Sequence, residues 1–487
     1  MRPGKRLRYR EKAKDDGATP PLSKSVPLGE RATVNSVSDA LNWFSDAVKR
    51  AGGQIYMDTL CASIDGISFS TAFSGVGAVD VAFHCIECGL RKHHGRTPSI
   101  RNLFAMEMYR PSQLELQMLP NPPECLFADV CDVADPRIKD SLLDNCHRMG
   151  FDELRRVTSH PNFCHMAAPC LQHNRICTMK RGHVHVAGPP CVAWSSQGKR
   201  QGFSHTESSL AFLCWVSARR KLRETSILHE NVADFPIEAL RDSLGDIYVI
   251  STVVFNSADL GHACDRIRRL TWLFLKSEVA APLQSWPQGV ELFIRELNMS
   301  WRSYLIATQD DLALDLDWSR KRRQSAYNIY EAKEKPDPKA DELRYRGLDT
   351  PWFRALTCLE QTFVMGYYNM RISGMPVCSA GQNPWKHTSH NRGSTKLATI
   401  IKNAHIQYSL DDGRWLTAEE LLLAQAFPVK GLAGNGEWCS FSKPREGRHR
   451  TTMIGQCGNS MNVNAIGAAL MWMFSNVELG KACQRTT

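Results

Sequence analysis

From Ile67 onward the chain alternates short apolar runs with segments of helical length, and this rhythm constrains the fold more than any other feature. Ile67 to Phe73 reads as a buried strand ending in the glycine-containing turn Ser74-Gly75-Val76-Gly77. Val79 to Cys88 then carries apolar residues at helical spacing. Leu103 to Met106, closed by acidic Glu107, gives a second strand, Pro111 to Met118 a helix, and Cys125 to Val130 a third strand. Val184 to Ala187, Ser226 to Leu228, Ile247 to Phe255 and Leu270 to Leu275 fit further strands. Parallel strands need a crossover, usually a helix, so this alternation predicts an α/β fold with a doubly wound, mainly parallel sheet.

The rhythm also sets boundaries. Residues 1–40 read as a basic, disordered tail, with Arg2, Lys5, Arg6, Arg8, Arg10, Lys12 and Lys14 crowding its start. Such a run suits nuclear import, nucleic-acid contact or a plain solvated terminus. A core is expected over 60–275, holding a Cys/His-rich insert at about 140–183. After Lys276 the alternation is lost, and 276–415 reads as a variable region with an exposed linker at Lys333-Glu334-Lys335-Pro336-Asp337-Pro338. Residues 416–480 return to helical pattern, with Thr417 as a cap before Glu419 and Glu420 and a closing helix over Ala465 to Phe474. The apolar runs fall short of the ~20 residues of a membrane span, and the start lacks the apolar stretch of a secretory signal. The 60 basic residues exceed the 50 acidic ones by 10, a balance compatible with a polyanionic partner. Seventeen cysteines, an odd number, without an export signal read as reduced thiols inside a cell.

The turn Phe73-Ser74-Gly75-Val76-Gly77 has a physical use, because glycines let backbone approach a ligand and the helix beyond offers amide donors. Glu107, with Met108 beside it, stands where a carboxylate can accept from a ribose diol, and Asp129, beside Val130, can meet an adenine amino group. A nicotinamide cofactor and S-adenosylmethionine both satisfy these features. Gly188-Pro189-Pro190-Cys191 separates them: two prolines fix the chain and restrict where the Cys191 sulfur can point. A polar, basic loop follows, Trp194-Ser195-Ser196-Gln197-Gly198-Lys199-Arg200. His229-Glu230-Asn231-Val232 comes directly after an apolar run, placing Glu230 at a strand end. Arg266-Ile267-Arg268 sets two guanidiniums on one side of an extended segment.

Taken in order, these motifs resemble the cytosine-5 methyltransferases. Leu416 to Glu420 with Gln425-Ala426-Phe427-Pro428 is similar to that family's penultimate motif, and Gln456-Cys457-Gly458-Asn459-Ser460 to its last, which returns to the cofactor. The resemblance runs from about Ser68 to Phe474. It implies a Rossmann-like class I methyltransferase fold with an inserted, mixed target-recognition region. It also implies S-adenosylmethionine held by Phe73, Gly75, Gly77, Glu107, Met108, Asp129, Val130, Pro189, Asn459 and Ser460. By the same resemblance Cys191 is the nucleophile, Glu230 bonds N3 and the amine of cytosine, Arg268 its O2, and Arg266 supports the loop or the base. DNA is the expected partner, RNA the alternative, and a decayed, non-catalytic nucleic-acid binder a third reading. A nuclear location and no membrane association follow as expectations, and the oligomeric state is left open.

Several positions depart from the family pattern. Ala78 stands where a further glycine is usual, Val192 and Cys264 where glutamines are common, and Glu419 where a basic residue is frequent. The long gap from Gly77 to Glu107 puts Arg91-Lys92-His93-His94 in an extra loop. The insert holds Cys146, His147, Cys164, His165, Cys170, His173, Cys177, His183 and His185, and four such groups could converge on zinc. None of the close pairs has Cys-x2-Cys spacing, so an irregular insert without metal is expected. The variable region interleaves Trp286, Trp301, Trp318, Trp352 and Trp385 with basic residues, which suits bases and phosphates or an ordinary core equally.

Overall fold

The computed structural model describes residues 31–44, 54–195, 200–279, 285–330, 348–369, 377–385, 395–402, 406–429 and 450–477. The run Arg2–Lys14, the positions Ser196–Lys199 and the Lys333–Pro338 linker lie outside the described residues. A sheet of 9 strands forms the centre: β1 (Ile67–Ala72), β2 (Ile100–Met106), β3 (Cys125–Phe127), β4 (Ala167–Cys170), β5 (Arg175–Thr178), β6 (Val184–Ala187), β7 (Ser226–Val232), β8 (Tyr248–Asn256) and β9 (Ile267–Leu275). Their spatial order is β5-β4-β3-β2-β1-β6-β7-β9-β8. The strands from β3 across to β7 are parallel, whereas β4–β5 and β9–β8 add antiparallel edges.

The order reverses beside β1, which pairs with β2 on one side and β6 on the other. Ala72 lies opposite Ala187, so the chain leaving β1 and the chain leaving β6 emerge side by side. In an open parallel sheet this switch point is where a crevice opens beyond the strand ends. Helix α1 (Gln54–Ile64) and helix α2 (Ala78–His94) pack against the last helix, Val463–Asn476, which is buried from Val463 to Ser475. A helix buried on all sides needs apolar residues all round, and Ala465 to Phe474 supplies them.

Four expectations change. Residues 33–44 belong to the core rather than to a disordered tail. Thr33–Val34 pairs with Glu296–Leu297, Ser36 and Asp39 form a capping box on the short helix Val37–Leu41, and Trp43 and Phe44 are buried. Arg91, Lys92, His93 and His94 form the last turn of α2, not an extra loop: Gly95, at φ 62°, caps the helix, and basic side chains there complement the dipole. The insert is regular, with α3 (Arg110–Gln117) before it and α4 (Pro136–Asn145), α5 (Phe151–Thr158) and the β4–β5 hairpin making it up. Strand β7 runs through Glu230 to Val232 instead of stopping at Leu228, because β9 pairs with it from Phe274 to Arg268.

The variable region splits physically in two. Trp286 and Trp301 are fully buried in the main core, where Trp286 packs on Trp472 with ring centroids 5.0 Å apart. A second, smaller core gathers Leu348, Phe353, Leu356, Tyr408 and Trp415 around the three strands β10 (Val377–Ser379), β11 (Gln407–Ser409) and β12 (Arg414–Trp415). Trp352 packs edge-on against Trp415, Trp318 carries Arg322 and Arg450 over its ring, and Trp385 is exposed.

Candidate active site

Two glycines shape the turn after β1. Gly75 and Gly77 have φ of 56° and 84°, in the left-handed region that costs a side chain dearly. A Cβ on Gly77 would lie 3.1 Å from the Leu119 side chain, so the turn is closed on that side. Phe73 enters it at φ 55°, a strained position for an aromatic residue. Ser74 fastens the turn to β2 through its own amide, 3.1 Å from the Met106 carbonyl.

Glu107 continues β2 by one residue, its amide donating to the Phe127 carbonyl at 3.0 Å. Its two carboxylate oxygens accept from the Gly75 and Tyr109 amides, each at 2.8 Å. Gln113 on α3 holds the Glu107 carbonyl at 2.7 Å. Burial pushes the Glu107 carboxyl upward, opposed by those amide bonds. Each ionised oxygen has about two acceptor sites, so one on each remains for a diol. Asp129 caps the turn Val130–Val133, its side chain accepting from the Cys131 amide at 2.9 Å and, in a capping box, from the amide of Asp132. Val130 is buried, while Met108 projects into solvent with 74% of its surface exposed. Carboxylates thus end two adjacent parallel strands beside an open glycine turn. These residues fit a nucleoside carrying a ribose diol and an adenine amine.

Beyond β6 the chain runs Gly188-Pro189-Pro190-Cys191. Asn231 on β7 ties this segment down, its side-chain amide donating to the Pro189 carbonyl at 3.3 Å. The Cys191 carbonyl then accepts from the Trp194 and Ser195 amides at 3.0 and 2.9 Å, folding a tight turn at the sulfur. Gly188 is required by a close approach: a Cβ there would stand 2.7 Å from Met461 Cε and 3.3 Å from Glu230 Oε2. The Met461 side chain fills the room left by the missing side chain, with the Glu230 carboxylate close beside it.

Glu230 Oε1 lies 3.0 Å from Arg268 Nε, both side chains mostly buried. In the β7–β9 register Arg268 stands opposite Val232 and Leu270 opposite Glu230, so the pair meets diagonally on one face. That contact is an ion pair without hydrogen-bond geometry, so the buried Oε1 can still accept from a polar partner. Burial pushes the Cys191 thiol up; Arg268 and Arg266 pull it down and Glu230 raises it. The sulfur, the carboxylate and the guanidinium are therefore near enough to act on one another electrostatically.

Arg266 is engaged elsewhere. Its guanidinium donates to the carbonyls of Ile400, Gly458 and Ser460, and its amide to Asn256 Oδ1 at 2.7 Å. Burial brings its pKa down to about 10. It fastens the segment 458–460 to the catalytic sheet, which favours loop support over contact with a base. Ser460 is buried in that junction, whereas Asn459 is exposed. The helix Arg450–Asn459 reaches back toward the cofactor end, with Gln456 Nε2 3.4 Å from Ser112 Oγ on α3. Asn231, Gln113 and Asn256 were not among the expected site residues. Asn231 was signalled by its place beside Glu230; the other two act through folded contacts that sequence spacing does not show.

A family model described as C-5 cytosine-specific DNA methylase matches residues 172–471. Among solved structures the chain is similar to a Dnmt2 methyltransferase of S. pombe, at 13% identity and TM-score 0.42, covering 83% of this chain and 97% of that one. It is also similar to a mutant of Spodoptera frugiperda DNMT2, at 12% identity and TM-score 0.40 over 84% and 100%. The Entamoeba histolytica methyltransferase EhMeth matches at 12% identity and TM-score 0.38 over 84% and 98%. No curated protein matches the chain. With the family match running over more than half of its 487 residues, the chain belongs to the C-5 cytosine-specific DNA methylase family, whose methyl donor is S-adenosylmethionine.

Proposed function

We propose that this protein methylates C5 of cytosine in DNA, with Cys191 forming a transient bond to C6 of a base turned out of its helix. The observation that carries the proposal is the convergence of the Cys191 thiol, the Glu230 carboxylate and the Arg268 guanidinium at the ends of β6, β7 and β9. Cytosine C5 is too weak a nucleophile to take a methyl group unaided. The Cys191 thiolate adds to C6, and the C5–C6 π electrons move toward C5, making it enamine-like. Glu230 hydrogen-bonds N3 and the exocyclic amine, and supplies the proton that N3 takes up as the adduct forms. Arg268 donates to O2, where negative charge gathers. S-adenosylmethionine supplies an electrophilic methyl group that C5 accepts. A water molecule then takes the C5 proton, the electrons return to the ring and expel the Cys191 sulfur as thiolate, and N3 gives its proton back to Glu230. The attacked carbon lies within the base stack, so the base must leave it.

Glu107 and Asp129 would hold the ribose and adenine of the donor, and the turn Phe73–Gly77 would cover its path into the crevice. The small second core at 348–415, built on its own three-stranded sheet, supports a target-recognition role for this part. The basic run Arg2–Lys14 suits contact with phosphates and import into a nucleus. The substrate assignment is tested by transfer of radiolabelled methyl groups to duplex DNA and to transfer RNA in parallel. Label in DNA is expected; label confined to RNA would reassign the substrate, and none in either would support a binding role alone.

A further inference from the structure

We propose that Cys125, Cys170, His173 and Cys177 form a four-ligand structural zinc site that staples the β4–β5 hairpin to the edge of the catalytic sheet. The ligand atoms of these four residues lie within 4.8 Å of one another. The sheet register brings them together. Cys125 and Phe127 share a face of β3, Cys170 lies opposite Phe127, and Cys177 lies opposite Ala168, two residues from Cys170. Three sulfurs therefore stand on one face of three adjacent strands. The turn between β4 and β5 folds His173 over them, with Asn174 at φ 52° turning the chain.

His173 Nδ1 is 3.4 Å from the Cys170 sulfur, 3.5 Å from Cys177 and 3.7 Å from Cys125. One imidazole nitrogen has a single lone pair or a single proton, so it cannot bond three thiols at once. A shared central ion accounts for all three distances. Tetrahedral zinc with Zn–S of about 2.3 Å and Zn–N of about 2.0–2.1 Å requires nitrogen–sulfur separations of about 3.6 Å. Three thiolates and an imidazole are a zinc donor set, and four protein ligands leave no open position for catalysis.

The hairpin needs such a fastening. It joins β3 through one register pair, Phe127 with Cys170, helped by the Leu171 amide on the Leu126 carbonyl at 2.7 Å. Strand β5 is largely exposed, and Ile176 leaves 64% of its surface to solvent. Apolar burial is concentrated in β4, where Ala168 and Cys170 are buried, and little of it holds β5. The site sits at the start of β3, at the end of the strand opposite to Asp129, away from the crevice. Sequence spacing hid it, because Cys125 lies outside the insert that holds the other three ligands.

The test is metal analysis of the full chain purified without chelator. The wild type should carry about one zinc per chain, and cobalt substituted for zinc should show the absorption of a tetrahedral thiolate site. X-ray absorption should resolve three sulfurs and one nitrogen around the metal. Cys177→Ser and His173→Ala, both at the outer hairpin, should reduce bound zinc at least about tenfold, while Cys85→Ser keeps it. A chelator should lower the melting temperature of the wild type but not of His173→Ala. Zinc-free wild type whose stability ignores chelator, zinc retained in both hairpin variants, or a disulfide among Cys125, Cys170 and Cys177 would each overturn the assignment.

Discussion

Glu230 shows how much chemistry one position carries. Its carboxylate lies close beside Gly188 and pairs with Arg268 through an oxygen that makes no hydrogen bond. Glu230→Gln preserves the shape but removes the ionisable group that passes a proton to N3 and takes it back. Turnover should fall more than tenfold, about 1.4 kcal/mol or above, with a modest change in nucleic-acid affinity. Equal turnover would mean that the carboxylate plays no part in the reaction. Cys191 predicts a pH dependence with a definite sign. Burial raises its pKa and the thiolate is the reactive form, so kcat/KM should climb with pH through the neutral range. Arg268 opposes that rise, so Arg268→Gln should move the climbing limb to higher pH, besides lowering its plateau. An unmoved limb would show that the guanidinium does not tune the thiol. At the donor end, Glu107→Ala should weaken S-adenosylmethionine binding in calorimetry, because both oxygens are held in place by amides of the turn and of Tyr109. Undiminished binding would place the ribose elsewhere.

Among the elements, the segment 33–44 separates two roles that sequence reading merged. Its polar, basic surroundings suggested a tail, yet Val34, Trp43 and Phe44 are buried against the sheet-covering helices. Only folded partners distant in sequence, such as Glu296–Leu297, reveal this. Trp43→Ala should therefore cost about 3–5 kcal/mol in urea unfolding, as loss of a buried aromatic does. Removal of residues 1–30 should leave stability intact and flatten the salt dependence of DNA binding, each lost phosphate contact lowering the slope by ~0.9. A stability loss on removing 1–30, or none in Trp43→Ala, would contradict this division. Helix α2 makes the same point. Its basic last turn read as a loop because charged residues interrupt the apolar pattern, but the dipole and the Gly95 cap make that turn a favourable place for them.

At the scale of the molecule, the parts fixed by local rules were the legible ones. The strand–turn–helix rhythm gave the parallel centre, and Pro-Pro-Cys with Glu-Asn-Val marked two strands that lie side by side. The antiparallel edge β4–β5, the full length of β7 and the division of 285–415 between two cores depend on pairings and packing across distant segments. The choice between the two expected roles of Arg266 was hidden for the same reason, since its partners are backbone carbonyls near positions 400 and 460. The convergence of β6, β7 and β9 on Cys191 remains the centre of the account, and covalent trapping tests it most directly. Cytosine bearing fluorine at C5 cannot release that substituent as a proton, so the adduct should persist after methyl transfer. Duplex DNA with this base should yield a protein–DNA conjugate on a denaturing gel, dependent on S-adenosylmethionine and absent in Cys191→Ser. A conjugate that survives in Cys191→Ser, or a wild type that methylates C5 yet never traps the fluorinated base, would contradict the account.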